Sequence, residues 1–146
     1  MRTLKKLIAT FFVLGALLLL ASPAMASESV SVEVRTIMAS TDGEDCDRRL
    51  RRLCSRLERG FGGYSSFRQL GSDTLNLDEG ESGSIRLPNA STLTLEYFGT
   101  TGEFVKLGLT IGERLNTTLR ATPGSTFFQA GLNHDGGILI LAITVR

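Results

Sequence analysis

The arginines are the residues of this chain whose number and spacing suggest a chemical role. Six of them fall between positions 48 and 59, partly offset by Asp47 and Glu58. Guanidinium groups bind carboxylates and phosphates through paired hydrogen bonds, so a cluster of this kind suits an anionic partner. The alternative is a solvated helix face on which arginines pair with acidic residues one turn away. We predict a partner-binding surface on one side of a helix, formed by Arg48, Arg49, Arg52, Arg56 and Arg59.

His134 is the single histidine of the chain, and it stands beside Asp135 in the run Asn-His-Asp-Gly-Gly. Histidine and aspartate are two members of a catalytic triad, but adjacent residues in a turn do not let the carboxylate orient the imidazole from behind. Asparagine, aspartate and glycine are the residues that hairpins favour, so we predict a turn here. The chain also lacks phosphate-loop, zinc-protease, serine-hydrolase and dinucleotide motifs. We therefore predict no enzymatic activity, no cofactor and no metal site.

An acidic run at 78–83 (Asp-Glu-Gly-Glu-Ser-Gly) offers oxygen ligands for a cation. Its acids do not have the spacing of a calcium-binding loop. We predict a mobile, solvated surface loop.

Two cysteines, Cys46 and Cys54, are eight residues apart in a segment with the periodicity of a helix. Over eight helical residues the chain rises about 12 Å, whereas bridged Cα atoms lie less than about 7 Å apart. We therefore predict two buried free thiols that pack as small apolar groups. A disulfide, the usual state of a cysteine pair in an exported protein, is the alternative, and it requires the helix to begin after Cys46.

The first 26 residues have the layout of a cleavable bacterial signal peptide. A basic start is followed by the apolar run Leu7–Leu20 and by Ala24-Met25-Ala26, a small-x-small cleavage site. The apolar run is shorter than the roughly 20 residues that cross a membrane. Its removal leaves 13 basic and 15 acidic residues, a net charge of −2. We predict a periplasmic or secreted protein with no membrane span after cleavage and no nucleic-acid partner.

The arginines must be positioned by the elements around them. Alternating valines in Ser29–Met38 predict a half-buried strand. Apolar residues at positions 46, 50, 53, 54, 57 and 61 recur with the period of a helix, so we predict an amphipathic helix from Asp45 to Arg59. Glycines at 60, 62 and 63 end it.

The rest of the chain has the pattern of an antiparallel β region, with short apolar runs separated by turn residues. The predicted strands are Ser65–Leu70, Thr74–Leu77, Ser84–Leu87, Thr92–Phe98, Phe104–Ile111, Arg114–Ala121, Thr126–Ala130 and Ile138–Val145. The last of these is apolar on both faces, which predicts a central strand covered by the helix on one side and by a second sheet on the other. We predict a single α+β domain over 27–146, with an N-terminal strand and one amphipathic helix packed on this β region.

The C-terminal third resembles the strand–turn–strand run near the end of secretins, the outer-membrane ring proteins of secretion and pilus systems. The resemblance is carried by the threonine-rich strand at 114–120, the turn and Gly-Leu ending at 123–132, and the apolar strand closed by a basic residue at 137–146. The secretin signature with proline and glycine between those strands is absent. The resemblance therefore implies a sheet of similar make-up rather than a pore. The layout as a whole resembles small exported bacterial proteins with no assigned activity.

Two functions remain open from the sequence. The first is a non-enzymatic envelope protein that binds or assembles with another envelope protein or with itself, in connection with a secretion or pilus apparatus; an anionic lipid surface is a further candidate partner. The second is a periplasmic small-ligand binder or hydrolase with a pocket between helix and sheet. A pocket with converging polar groups favours the second, and a filled core favours the first.

Overall fold

Eight β-strands form two four-stranded antiparallel sheets that pack face to face, as described by a computed structural model of residues 28–146. Sheet A has the strand order β2-β1-β8-β7, and sheet B has the order β3-β4-β5-β6. The predicted signal peptide lies outside the described residues. The strands are β1 (Ser29–Ser40), β2 (Ser66–Asp78), β3 (Ser82–Arg86), β4 (Thr92–Thr101), β5 (Phe104–Ile111), β6 (Leu115–Ala121), β7 (Thr126–His134) and β8 (Gly137–Val145).

The main core lies between the two sheets and follows from the alternation of the strands. In β1, Val30, Val32 and Val34 point inward and are buried, while the residues between them lie on the outer face of sheet A. Leu107 and Leu109 of β5 are likewise fully buried from the sheet B side. Because successive strand residues point to opposite faces, one buried face per strand is enough to build this sandwich.

The outer face of sheet A carries a second, smaller core under the segment 46–61. This segment contains a 3-10 helix, Arg48–Leu50, and one short helix, α1 (Cys54–Gly60). Leu50 and Leu57 are fully buried there against Ile37 and Ile140 of the sheet. β8 lies between β1 and β7 and is buried on both faces, which confirms the prediction of a central strand covered on two sides.

The predicted α+β class is wrong, because the described chain is an all-β sandwich with one α-helix of seven residues. The predicted helix from Asp45 to Arg59 is replaced by a strand-like start, a 3-10 turn and a single short helix. The same apolar residues still face the sheet, since a 3-10 turn followed by an α-helix brings them to one side as a continuous helix would. The pattern therefore identified the buried side but not the backbone conformation.

The predicted strands lie in the right places, but β4 and β7 extend three and four residues beyond their predicted ends, and two predicted runs merge into β2. The two predicted runs on either side of Gly71 form one strand of 13 residues. The register with β1 shifts between Thr36 and Ile37, where Leu70 is the extra residue of a bulge. The acidic run, predicted as a surface loop, forms the short turn between β2 and β3, since β3 begins at Ser82 and the backbone of Tyr97 bonds to both Gly80 and Glu81.

The prediction of two free thiols is also wrong, because Cys46 and Cys54 form a disulfide with their Cα atoms 6.1 Å apart. The physical reason is the late start of the helix. Cys46 lies in an extended segment that bridges to Phe67 of β2, and α1 begins only at Cys54. Turning the chain between the cysteines removes the helical rise that would have kept them apart.

Candidate functional site

The disulfide closes a nine-residue loop, here called the basic loop (residues 46–54), which contains four of the six clustered arginines. Its start is attached to β2 by backbone hydrogen bonds from Phe67 to Asp45 and from Asp47 to Phe67, both 2.9 Å. Its middle is anchored by the buried Leu50. Because the loop is held at both ends and at its centre, its arginines project from a defined backbone.

Asp47 organises the first turn of the basic loop. Its carboxylate accepts hydrogen bonds from the backbone N–H groups of Arg49 and Gln69, and it pairs with the Arg49 guanidinium at 2.8 Å. These interactions, with the Arg49 side chain first among them, lower the pKa of the Asp47 carboxyl well below its ordinary range. The same pair raises the pKa of Arg49. The Asp47 side chain is only 16% exposed, so this carboxylate supports the loop rather than offering itself to a partner.

Arg35 joins the basic loop from β1. Its Nε donates to Glu33 at 2.7 Å, and its Nη1 donates to the backbone carbonyl of Arg49 at 3.1 Å. Arg35 was not among the partner-binding residues predicted from the sequence. The available signal was its place on the polar side of the β1 alternation, on the face that the predicted helix was expected to cover.

Five arginines line one concavity of about 480 Å³ on the outer side of sheet A, here called the basic basin: Arg35, Arg48, Arg49, Arg51 and Arg52. Two of them, Arg35 and Arg49, are held by the contacts described above. Within residues 28–146, the guanidinium groups of Arg48, Arg51 and Arg52 have no side-chain hydrogen bond or ion pair. The basin therefore combines two positioned guanidinium groups with three that are available to a ligand.

A smaller concavity of about 270 Å³ continues from the basin along sheet A. Arg35 and Arg52 line both, and Arg146 adds a further guanidinium at the end of β8. Arg146 pairs with Glu33 at 3.1 Å, so Glu33 lies between Arg35 and Arg146 and neutralises part of their charge. The positive surface thus extends beyond the loop onto the sheet.

Two of the predicted partner-binding residues lie outside the basin. Arg56 donates to the backbone carbonyl of Thr126 at 2.8 Å, and its guanidinium carbon lies 4.7 Å from the centre of the Phe128 ring. Arg59 donates to the carbonyl of Ser55 within α1. Arg56 thus attaches α1 to β7, and of the five predicted residues only Arg48, Arg49 and Arg52 line the basin.

The space between the helical segment and sheet A holds packed apolar side chains. Leu50, Leu57, Phe67 and Ile140 are 0–1% exposed there. The predicted location of a ligand pocket between helix and sheet is therefore occupied by side chains.

His134 lies at the end of β7, with its Nε2 atom 3.4 Å from Asp135 Oδ2. The residues Asp135 and Gly136 form the two-residue turn between β7 and β8, as the sequence predicts, and both have positive φ angles. In the described part of the chain, no group of three or more histidine, cysteine or acidic residues is arranged to hold a metal ion.

Comparison of this chain with protein families, with curated proteins and with solved structures found no match. Over residues 28–146, none of the helices has the length and apolar character needed to cross a membrane. The disulfide fits an exported protein, because disulfides persist mainly in oxidising compartments.

Proposed function

We propose that this protein is a non-enzymatic, exported envelope protein that binds an acidic segment of another envelope protein in its basic basin. The observation that carries the proposal is a group of three guanidinium groups around one concavity, those of Arg48, Arg51 and Arg52, which have no ion pair within residues 28–146. The mature chain has a net negative charge, whereas the basin is positive. The basin is therefore a surface of the opposite sign to the rest of the molecule. Charge segregation of this kind steers acidic partners and fixes their orientation.

The chemistry of the basin favours carboxylates held by paired hydrogen bonds. A planar guanidinium group binds a carboxylate at two points, and its orientation matters more than its charge alone. Arg49 is fixed by Asp47, and its backbone carbonyl fixes Arg35, so part of the basin has its geometry before a ligand arrives. Side chains that are already ordered lose less entropy on binding.

The exposed hydrophobic residues favour a protein partner over a lipid surface. Surfaces that dock on anionic membranes usually place aromatic or apolar side chains beside their basic residues. Phe98 and Phe104, 42% and 46% exposed, are the exposed large hydrophobic residues of the described chain, and they lie on sheet B. Sheet B is the opposite layer from the basin, so the basic surface lacks this second component.

The proposal includes bacterial export to the periplasm through cleavage of the first 26 residues. The disulfide supports export, and the layout of residues 1–26 supports the signal peptide. The resemblance of residues 114–146 to secretins makes a secretion or pilus apparatus the first place to seek the partner.

A charge-matched pair of triple variants tests the basin. Replacing Arg48, Arg51 and Arg52 with glutamine should weaken binding of a decaglutamate peptide by at least about tenfold, because close charge pairs dominate such contacts. Fluorescence anisotropy at two salt concentrations measures the affinity and its screening. The matched control replaces Arg86, Arg114 and Arg120, which are exposed and belong to sheet B or its turns.

Equal losses of peptide affinity in the two triple variants would show general charge attraction and contradict the proposal. Stronger binding to phosphatidylglycerol vesicles than to the peptide would replace the protein partner with a lipid surface. If the proposal holds, a photo-crosslinker at position 51 in intact envelopes should label one acidic protein. The same crosslinker at position 86 should not label it.

A further inference from the structure

A second concavity differs in chemistry from the basic basin, because both acidic and basic side chains line it. It has a volume of about 400 Å³ and lies where β1 ends and β2 begins, here called the end pocket. Ser40 faces Ser66 across the two strands, and Met38 faces Arg68, so the register brings these four side chains together. Leu70 completes the strand lining, while Asp42, His134 and Asp135 come from the adjoining loop and hairpin.

The charges of the end pocket are not paired with one another across it. Arg68 forms no ion pair within the described residues, although Asp42 and Asp135 line the same pocket. The one close contact among these groups joins His134 to Asp135, at 3.4 Å. Opposite charges that share a pocket without meeting leave room for a ligand that contacts both. A ligand of a single sign would meet repulsion from one of the two sides.

We propose that the end pocket binds a zwitterionic small molecule, a free α-amino acid. Its carboxylate would accept hydrogen bonds from the Arg68 guanidinium, and its ammonium group would donate to Asp42 and Asp135. Ser40 and Ser66 supply hydroxyl groups beside these charges. The side chain of the amino acid would rest on Met38 and Leu70, which favours an apolar one such as that of methionine. The pocket is within the size range of small-molecule sites.

A neutral sugar suits this lining less well than a zwitterion does. Sugar hydroxyls can bond to carboxylates and to arginine, but they do not neutralise either charge when water is displaced. This inference concerns a site separate from the basic basin and does not depend on the proposed function.

His134 provides the reporter for the test, because it is the only histidine of the chain and it lines the pocket. Its imidazole proton signal in NMR spectra should shift and saturate when L-methionine is added. The comparison ligands are acetate, methylammonium and methyl glucoside at the same concentrations. Titration to about 10 mM is sufficient, since a Kd of about 1 mM already marks weak binding.

Arg68→Gln should weaken the methionine response about tenfold or more, because it removes a charge-assisted contact. Asp42→Asn should weaken it in the same direction. The matched control is Arg86→Gln, which removes an exposed arginine of the same charge from β3 and should leave the response unchanged. The His134 signal of each free variant reports whether the pocket is intact.

The absence of a saturating shift with L-methionine would overturn the proposal. A response to acetate or methyl glucoside as strong as that to methionine would overturn the zwitterion assignment. An unchanged methionine affinity in both Arg68→Gln and Asp42→Asn would place the binding elsewhere.

Discussion

Arginines that are adjacent in the sequence have different roles in this molecule. Arg49 is paired with Asp47 and bonds to a carbonyl of β2, whereas its neighbour Arg48 has no such contact within the described residues. Arg56, four residues beyond Arg52, stacks on Phe128 and bonds to β7. The role of each arginine therefore depends on where the folded segment 46–61 places it, and composition alone does not show this.

The Asp47–Arg49 pair should make part of the stability depend on pH. The pKa of Asp47 is lowered in the folded protein from an ordinary value of 3.8, so the ionised carboxylate stabilises the fold above that pH. As the pH falls below 3.8, the carboxylate takes up a proton in the unfolded chain before it does so in the folded protein, so this contribution falls progressively and is fully lost only below the folded pKa. The difference in urea stability between the protein and Asp47→Asn should be largest at pH 7 and should narrow steadily as the pH is lowered from 4 to 2.5.

Asp73→Asn is the matched control, since Asp73 is an exposed carboxylate on the same sheet. A difference between the protein and Asp47→Asn that is constant across this pH range would contradict the assigned role of Asp47.

At this scale the sequence predicted that arginine is the unusual residue type but not which arginines line the basin. Three of the five named arginines line the basin, and Arg35 and Arg51 complete it. Arg35 is 14 residues from Arg49 along the chain, and their contact depends on how the loop folds over β1. Periodicity within the loop carries no information on that contact.

The basic loop shows how a covalent bond and a few apolar anchors replace regular secondary structure. The four arginines between the cysteines lie on a backbone held by the disulfide, by Leu50 and by the hydrogen bonds to Phe67. The sequence pattern located the buried side correctly because burial requires only that apolar residues reach one surface. It predicted the wrong conformation because the disulfide and a 3-10 turn meet the same requirement with fewer helical residues.

Removing the disulfide with Cys46→Ser and Cys54→Ser should lower the free energy of unfolding by about 2–3 kcal/mol, because a loop of nine residues is no longer closed in the unfolded chain. It should also weaken binding of the decaglutamate peptide, since the arginines lose their fixed backbone. Urea unfolding measures the first effect and fluorescence anisotropy the second.

The oxidised and reduced forms of the unmodified protein serve as the control pair for these substitutions. Peptide affinity that is the same with and without the disulfide would show that the basin does not depend on the closed loop.

The strands of the second half were the most predictable elements. β5 has the predicted bounds, and β8 was correctly placed at the centre of a sheet because it is apolar on both faces. The partition of eight strands between two sheets was not predicted, because it is set by the crossings from β2 to β3 and from β6 to β7. Alternation shows that a face is buried but not which other strand buries it.

The two outer faces of the sandwich differ in chemistry. The outer side of sheet A carries the helical segment and the basic basin, whereas the outer side of sheet B carries Phe98, Phe104 and Lys106, whose ammonium nitrogen lies 5.7 Å from the centre of the Phe98 ring. A molecule with two unlike faces can contact its surroundings in one preferred orientation.

Export of the whole molecule is testable by intact mass. Protein isolated from the bacterial envelope should begin at Ser27. Because of the disulfide, its mass should be lower by two hydrogen atoms than that of the same chain after reduction. Mass spectrometry before and after treatment with a reductant measures both. A replacement of Ala24 and Ala26 by bulky residues should block cleavage and serves as the control. A product that retains the first 26 residues would contradict the proposed processing.

The basic loop is an insertion between two strands that are already hydrogen-bonded neighbours, β1 and β2. The core between the two sheets lies on the other face of sheet A. Arg48, Arg51 and Arg52 are not part of that core. The sequence at the tip of the basic loop can therefore change while the two cysteines and Leu50 keep the loop in place. Related chains should then diverge fastest at the tip, and a designer could graft a new recognition sequence there without redesigning the scaffold.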